Sequence, residues 1–163
     1  MSVRKKYRGY SALGLYNIKD DNNLGSVLRN AGCFGANLVL VHGDRLKHGR
    51  IGRTDTRNTH KSLPVIFTLN ILDNIPYEAK VVAVEISDKA ENLGTFVHPN
   101  NCLYLFGPED GSLPQEILDV ADYTVYIPTD RCLNLATASG IVLYDRIIKQ
   151  QKDNDEHNER EMV

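Results

Sequence analysis

Six short apolar runs punctuate the chain: "ALGLYNI" (12–18), "NLVLVH" (37–42), "LPVIF" (63–67), "AKVVAVEI" (79–86), "NCLYLFG" (101–107) and "YTVYIP" (123–128). They are rich in Val, Ile, Leu and Tyr, and they are bounded by Gly, Pro and Asn. That is the mark of strands covered on both faces. Helical candidates lie between them at 23–34, 69–75, 90–97, 114–120 and 132–151. Such alternation predicts an α/β domain with a largely parallel sheet flanked by helices. A chain of 163 residues is about one domain long.

Several classes fall away. No apolar run approaches the roughly 20 residues of a membrane span, and "MSVRKKYRGY" lacks the apolar core of a signal peptide. The chain is therefore expected to be intracellular, in the cytoplasm, with no membrane partner. Cys33, Cys102 and Cys132 are an odd number at wide spacing, which suggests neither a disulfide framework nor a CxxC metal site. The five histidines show no HExxH pairing, so no metal is expected. Neither GxGxxG nor GxxxxGK[ST] follows a strand, and no GxSxG elbow occurs.

The net charge of −2 hides an uneven distribution. Residues 1–10 carry Arg4, Lys5, Lys6 and Arg8 without an acid, and form a basic N-terminal arm. Arg45, Lys47, Arg50, Arg53, Arg57 and Lys61 crowd the gap between the second and third strands against Asp44 and Asp55. That gap has little apolar periodicity. A long loop in a compact domain is usually functional, and its charge suits a phosphate backbone, although charge alone fits a solvated loop equally well. The segment 152–163 is acidic and poor in apolar residues, so a single domain over 1–151 with a disordered tail is expected.

Three segments fall at predicted strand ends, where open α/β sheets bind ligands. "DDNNLGSVLRNAGCFGA" offers Asn23 as a candidate helix cap, with Arg29 nearly two turns on. "LYLFGPEDGSLP" runs a strand into Gly107, Pro108 and Glu109, and a plain turn does not ask for the glutamate. "RCLNLATASGIVLYD" opens a long apolar helix with small and polar residues. Helix packing explains Ala136, Ala138 and Gly140 but explains Asn134 poorly.

Together the three segments resemble the SpoU, or TrmH-like, branch of the SPOUT RNA methyltransferases. The pattern N-x-G-x-x-x-R-x-A-x-x-F-G is met by Asn23, Gly25, Arg29, Ala31, Phe34 and Gly35. FG-[S/P]-E-x-x-G-L is met by Phe106, Gly107, Pro108 and Glu109, with glycine at 111, one place early. I-P-…-S-L-N is met by Ile127, Pro128, Leu133 and Asn134, with Cys132 in place of serine. The similarity runs from about residue 10 to 150.

The resemblance implies a SPOUT fold with a C-terminal trefoil knot, and S-adenosylmethionine bound among loops at Val84, Gly107, Ile127, Cys132 and Leu133. It also implies a homodimer that methylates a ribose 2′-hydroxyl in tRNA or rRNA. Arg29 takes the catalytic position, and Asn23, Glu109 and Asn134 orient Arg29, the methionine part of the cofactor and the knot loops. Two other readings share the same residues: a SPOUT-like protein that holds RNA without methylating it, and an α/β enzyme acting on a small anionic metabolite.

Overall fold

The computed structural model describes residues 9–46 and 54–161. Seven strands, β1 (Tyr10–Tyr16), β2 (Leu38–His42), β3 (Val65–Thr68), β4 (Lys80–Val84), β5 (Glu91–Asn92), β6 (Asn101–Phe106) and β7 (Tyr123–Tyr126), form one sheet in the order β3-β2-β1-β6-β4-β7-β5. Every pairing is parallel. The helices are α1 (Asp21–Cys33), α2 (Gln115–Val120) and α3 (Leu135–Glu161).

Strand alternation divides the core into two layers. On β6, Cys102, Tyr104 and Phe106 join Leu13, Val82, Leu24, Val27, Leu28 and Val142 on the α1 and α3 side. Leu103 and Leu105 point the other way, to Leu40, Ile71, Ala83 and Ile117 beneath α2. Both layers are needed to cover a central strand whose residues 102–106 are all buried. This is why the strand runs read as continuously apolar.

Helix α1 is fixed at both ends by its sequence. The Asp20 side chain accepts from the Asn22 amide at 2.8 Å, so the cap is Asp20 and not Asn23. Leu24, Val27, Leu28 and Ala31 supply the buried stripe. The chain leaves through Gly35 at φ +70, and the Ala36 amide returns to the Ala31 carbonyl at 2.9 Å, as in a Schellman ending.

Two expected helices are replaced. Over 69–75 only a 3₁₀ turn, Leu72–Asn74, forms. Thr68 Oγ1 accepts from the Asn70 amide and from Asn74 Nδ2, and Asn70 Oδ1 accepts from the Leu72 amide, so local side chains take donors a helix would use. Over 90–97 the chain adds the two-residue edge strand β5, because the Leu93 amide bonds to the Tyr126 carbonyl and Asn92 Oδ1 turns the chain at Gly94.

Helix α3 begins at Leu135, three residues later than the sequence predicts, and continues past 151 to Glu161, through the segment read as a disordered tail. Below the sheet it is clamped by polar groups. Arg146, 4% exposed, donates to the carbonyls of Pro99 and Asn100, both at 2.6 Å. Lys149 reaches the carbonyls of Leu93 and Phe96, and Asp145 meets His98 Nε2 at 2.8 Å. Among the described residues no helix is long and apolar enough to cross a membrane.

Candidate active site

Strands β6, β4 and β7 are neighbours, so their carboxyl ends open on one rim. There they enclose a cavity of about 370 Å³ whose lining includes Val84, Gly107, Ile127, Cys132 and Leu133, together with Glu109. Gly107 sits at a close approach: a Cβ there would stand 3.1 Å from the Leu113 amide nitrogen and 3.3 Å from the Ser112 carbonyl carbon, a tight contact. Glu85 holds that approach from the other side. Its Oε2 accepts from the Leu113 amide at 2.9 Å and its Oε1 from the Ile86 amide at 3.0 Å. Sequence reading missed Glu85, although an acid closing the apolar run "VVAVEI" was a visible signal.

The three motif segments meet through side chains. Glu109 Oε1 accepts from Asn23 Nδ2 at 2.8 Å, and Asn23 Oδ1 accepts from Asn134 Nδ2 at 2.9 Å. Asn134 Oδ1 in turn accepts from the amides of Ala136 at 2.9 Å and Thr137 at 3.3 Å. Asn134 is thus the cap of α3, which explains an amide among apolar neighbours. The cap also orders the whole chain of bonds. An oxygen facing helix amides leaves the Asn134 NH₂ for Asn23, and a carboxylate that only accepts takes the Asn23 NH₂. Glu109 further accepts from the amides of Lys19 at 3.1 Å and Asp20 at 3.3 Å.

Arg29 lies on the exposed face of α1, apart from the cavity lining, and makes no hydrogen bond or ion pair among the described residues. The next residue, Asn30, faces α3 and was missed from sequence. Its Nδ2 donates to the Ala136 carbonyl at 2.7 Å and to Ser139 Oγ at 3.3 Å. A Cβ on Gly140 would stand 3.1 Å from the same nitrogen, so the small residues of α3 let the two helices close on each other. Asn23 and Asn30 are seven positions apart and share one helix face.

Charge gathers on the rim. Asp110 accepts both guanidinium nitrogens of Arg45, at 2.9 and 2.8 Å, and the Lys19 ammonium at 3.0 Å. These cations hold its carboxyl well below the usual carboxylate range, and Asp110 in turn raises Arg45. Of the basic residues expected to meet RNA, Arg45 is therefore engaged by the loop beside the cavity, whereas Arg57 and Lys61 are exposed. Lys47, Arg50 and Arg53 lie outside the described residues, as do residues 1–8 of the basic arm. Among the described residues no group of His, Cys, Asp and Glu is placed to hold a metal ion.

Comparison with known proteins adds to this geometry. The pattern of the SpoU rRNA Methylase family matches residues 11–144. The chain is 23% identical over 136 residues to a tRNA (guanosine(18)-2′-O)-methyltransferase of Aquifex aeolicus, covering 79% of this chain and 64% of that protein. It is 28% identical over 144 residues to the 23S rRNA (guanosine-2′-O-)-methyltransferase RlmB of Nitrosomonas europaea, covering 82% and 54%. The chain thus spans less than two thirds of the length of either relative. Among solved structures, an AdoMet-bound rRNA methyltransferase from Sinorhizobium meliloti aligns with a TM-score of 0.75 at 26% identity, over 85% of this chain and 56% of that one.

Proposed function

The chain belongs to the SpoU rRNA methylase family, and on that premise we propose that it transfers a methyl group from S-adenosylmethionine to a ribose 2′-hydroxyl of RNA, in tRNA first and in rRNA as the alternative. The observation that carries this reading is the chain of bonds from Glu109 through Asn23 to Asn134 beside a cavity of about 370 Å³. Polar side chains from three distant segments hold one another at a place where no core requires them.

The cavity fits such a cofactor. Val84, Ile127 and Leu133 offer apolar walls to a flat ring, and the carboxylates of Glu85 and Glu109 supply negative charge toward a cation. When bound, S-adenosylmethionine supplies an electrophilic methyl group on a positively charged sulfur. Gly107, Cys132 and the other lining residues shape the enclosure, and Glu109, Asn23 and Asn134 fix the loops around it. Arg29, exposed and without a partner among the described residues, is available to hold an RNA phosphate and the 2′-oxygen. A guanidinium scarcely deprotonates, so its role is to position rather than to take the proton. Arg57 and Lys61, with Lys47, Arg50 and Arg53, extend the phosphate-binding surface.

The working unit in this reading is a cytoplasmic homodimer with a C-terminal trefoil knot, each copy a single domain whose last helix, α3, runs on past 151 to Glu161. Support for the dimer comes from Tyr144, 56% exposed on α3 beside the half-buried Ile141 and Ile148. The test is incubation of unfractionated tRNA and rRNA with labelled cofactor, followed by nucleoside mapping. Label in a 2′-O-methylnucleoside is expected. Cofactor and RNA binding without transfer would leave only an RNA-holding protein, and a chain that binds neither would overturn the reading.

A further inference from the structure

The loop 107–113 is a wall of the cavity and also part of the charged rim, and two adjacent carboxylates divide its anchoring. Glu109 takes the amides of Lys19 and Asp20 and the side chain of Asn23. Asp110 takes the Lys19 ammonium and, in a two-pronged contact, the Arg45 guanidinium. Such a fork fixes the guanidinium plane as well as its charge. Arg45 also donates to the Asn17 carbonyl at 3.2 Å, and the Asn17 amide bonds to the His42 carbonyl at 3.0 Å. The ends of β1 and β2 are therefore tied to each other and, through Asp110, to the cavity wall.

We propose that Asp110 is a positioning residue with two opposed effects: it secures the wall of the cofactor cavity, and it withholds Lys19 and Arg45 from RNA phosphate. The inference rests on the activity proposed above. One carboxylate occupying two cations reduces what either offers to a polyanion. Removing its charge releases both and at the same time loosens the loop, which Glu109 still holds to Lys19, Asp20 and Asn23. A residue needed only for folding would weaken cofactor and RNA binding together; Asp110 moves them in opposite directions.

The test is Asp110→Asn, a near-isosteric change at a side chain 45% exposed. S-adenosylhomocysteine should bind about two- to fivefold more weakly, in keeping with the loss of a surface ion pair. Unfractionated tRNA should bind more tightly, with a salt slope steeper by about 0.7 to 0.9 for each cation freed. Adding Arg45→Gln in the same background should return the slope toward that of the parent. Both affinities unchanged, or both weakened, would overturn the inference while a parent that binds cofactor and tRNA keeps the proposed activity. A parent that binds neither overturns that activity itself.

Discussion

Asn134 donates from Nδ2 to Oδ1 of Asn23 at 2.9 Å, joining residues 111 positions apart, while its own Oδ1 caps α3. One side chain is both helix cap and bridge, and the two roles can be separated. Asn134→Ala removes both, and should lower stability by about 1 kcal/mol as well as weakening cofactor binding. Asn134→Asp keeps an oxygen for the helix amides but sets acceptor against acceptor at Asn23. Its melting temperature should stay near the parent value while affinity for S-adenosylhomocysteine falls. Melts and calorimetry on the pair check this.

Arg29 is exposed and contributes nothing to the core. Arg29→Ala should therefore keep fold and cofactor affinity. Loss of a charge-assisted hydrogen bond to RNA, about 1.5–3 kcal/mol, should slow single-turnover methylation about 10- to 150-fold. Arg29→Lys should rescue poorly, because a point charge does not reproduce the planar fork. A parent rate in the alanine variant would move the chemistry elsewhere.

Arg57 and Lys61 are exposed on a segment whose other cations include Arg50 and Arg53. Reversing Arg50, Arg53 and Arg57 to glutamate should weaken tRNA binding and flatten its salt dependence, with cofactor affinity unaltered. Filter binding across a salt series reads the slope directly.

The His98 side chain is 1% exposed, and desolvation pulls its pKa below the ordinary imidazole range, with Asp145 opposing that shift and Lys149 and Arg146 adding to it. Its folded pKa thus lies below the unfolded value near 6.5. As pH falls, the unfolded chain takes the proton first. The stability tied to neutral His98 is complete above about pH 6.5 and is lost as pH drops below it. Urea unfolding at pH 7.5 and 5.5 should show the loss, and His98→Gln should reduce the difference.

Tyr144 packs edge-on against Phe34, with ring centroids 6.4 Å apart, yet remains half exposed. Burying that surface in a second copy is what a stable dimer requires. The parent should sediment as a dimer at micromolar concentration, and Tyr144→Glu as a monomer.

The inner strands were legible because they are buried on both faces, which leaves unbroken apolar runs such as 101–107, whereas the edge strand β3 departs from that expectation, with Ile66 and Phe67 exposed. Helices α1 and α3 were legible from their apolar spacing. The replaced segments share a different cause: Thr68, Asn70 and Asn92 turn the chain with their own side chains, a competition that periodicity does not register. At the site, Glu109 and Asn134 stood out from sequence as polar groups in unexpected company, whereas Asn23 stood out only through the family pattern. Asp20 did not, since four polar residues begin α1 and only geometry chooses among them. Asn30 and Asp110 were invisible for a different reason. Their partners, Ala136 and Arg45, lie 106 and 65 positions away.

The pairing of β1 with β6 sets an order of events during synthesis. β1 completes its bonds on one side with β2, close behind it, but the other side waits for Asn101–Phe106. Until that stretch leaves the ribosome, β1, β2 and β3 present an apolar strand with an open edge, the kind of surface that pairs with the wrong chain. Asn23 waits longer still, until Asn134 arrives to orient it. Binding of a cofactor analogue to stalled nascent chains of increasing length should therefore appear late, and would serve as a reporter of completed folding.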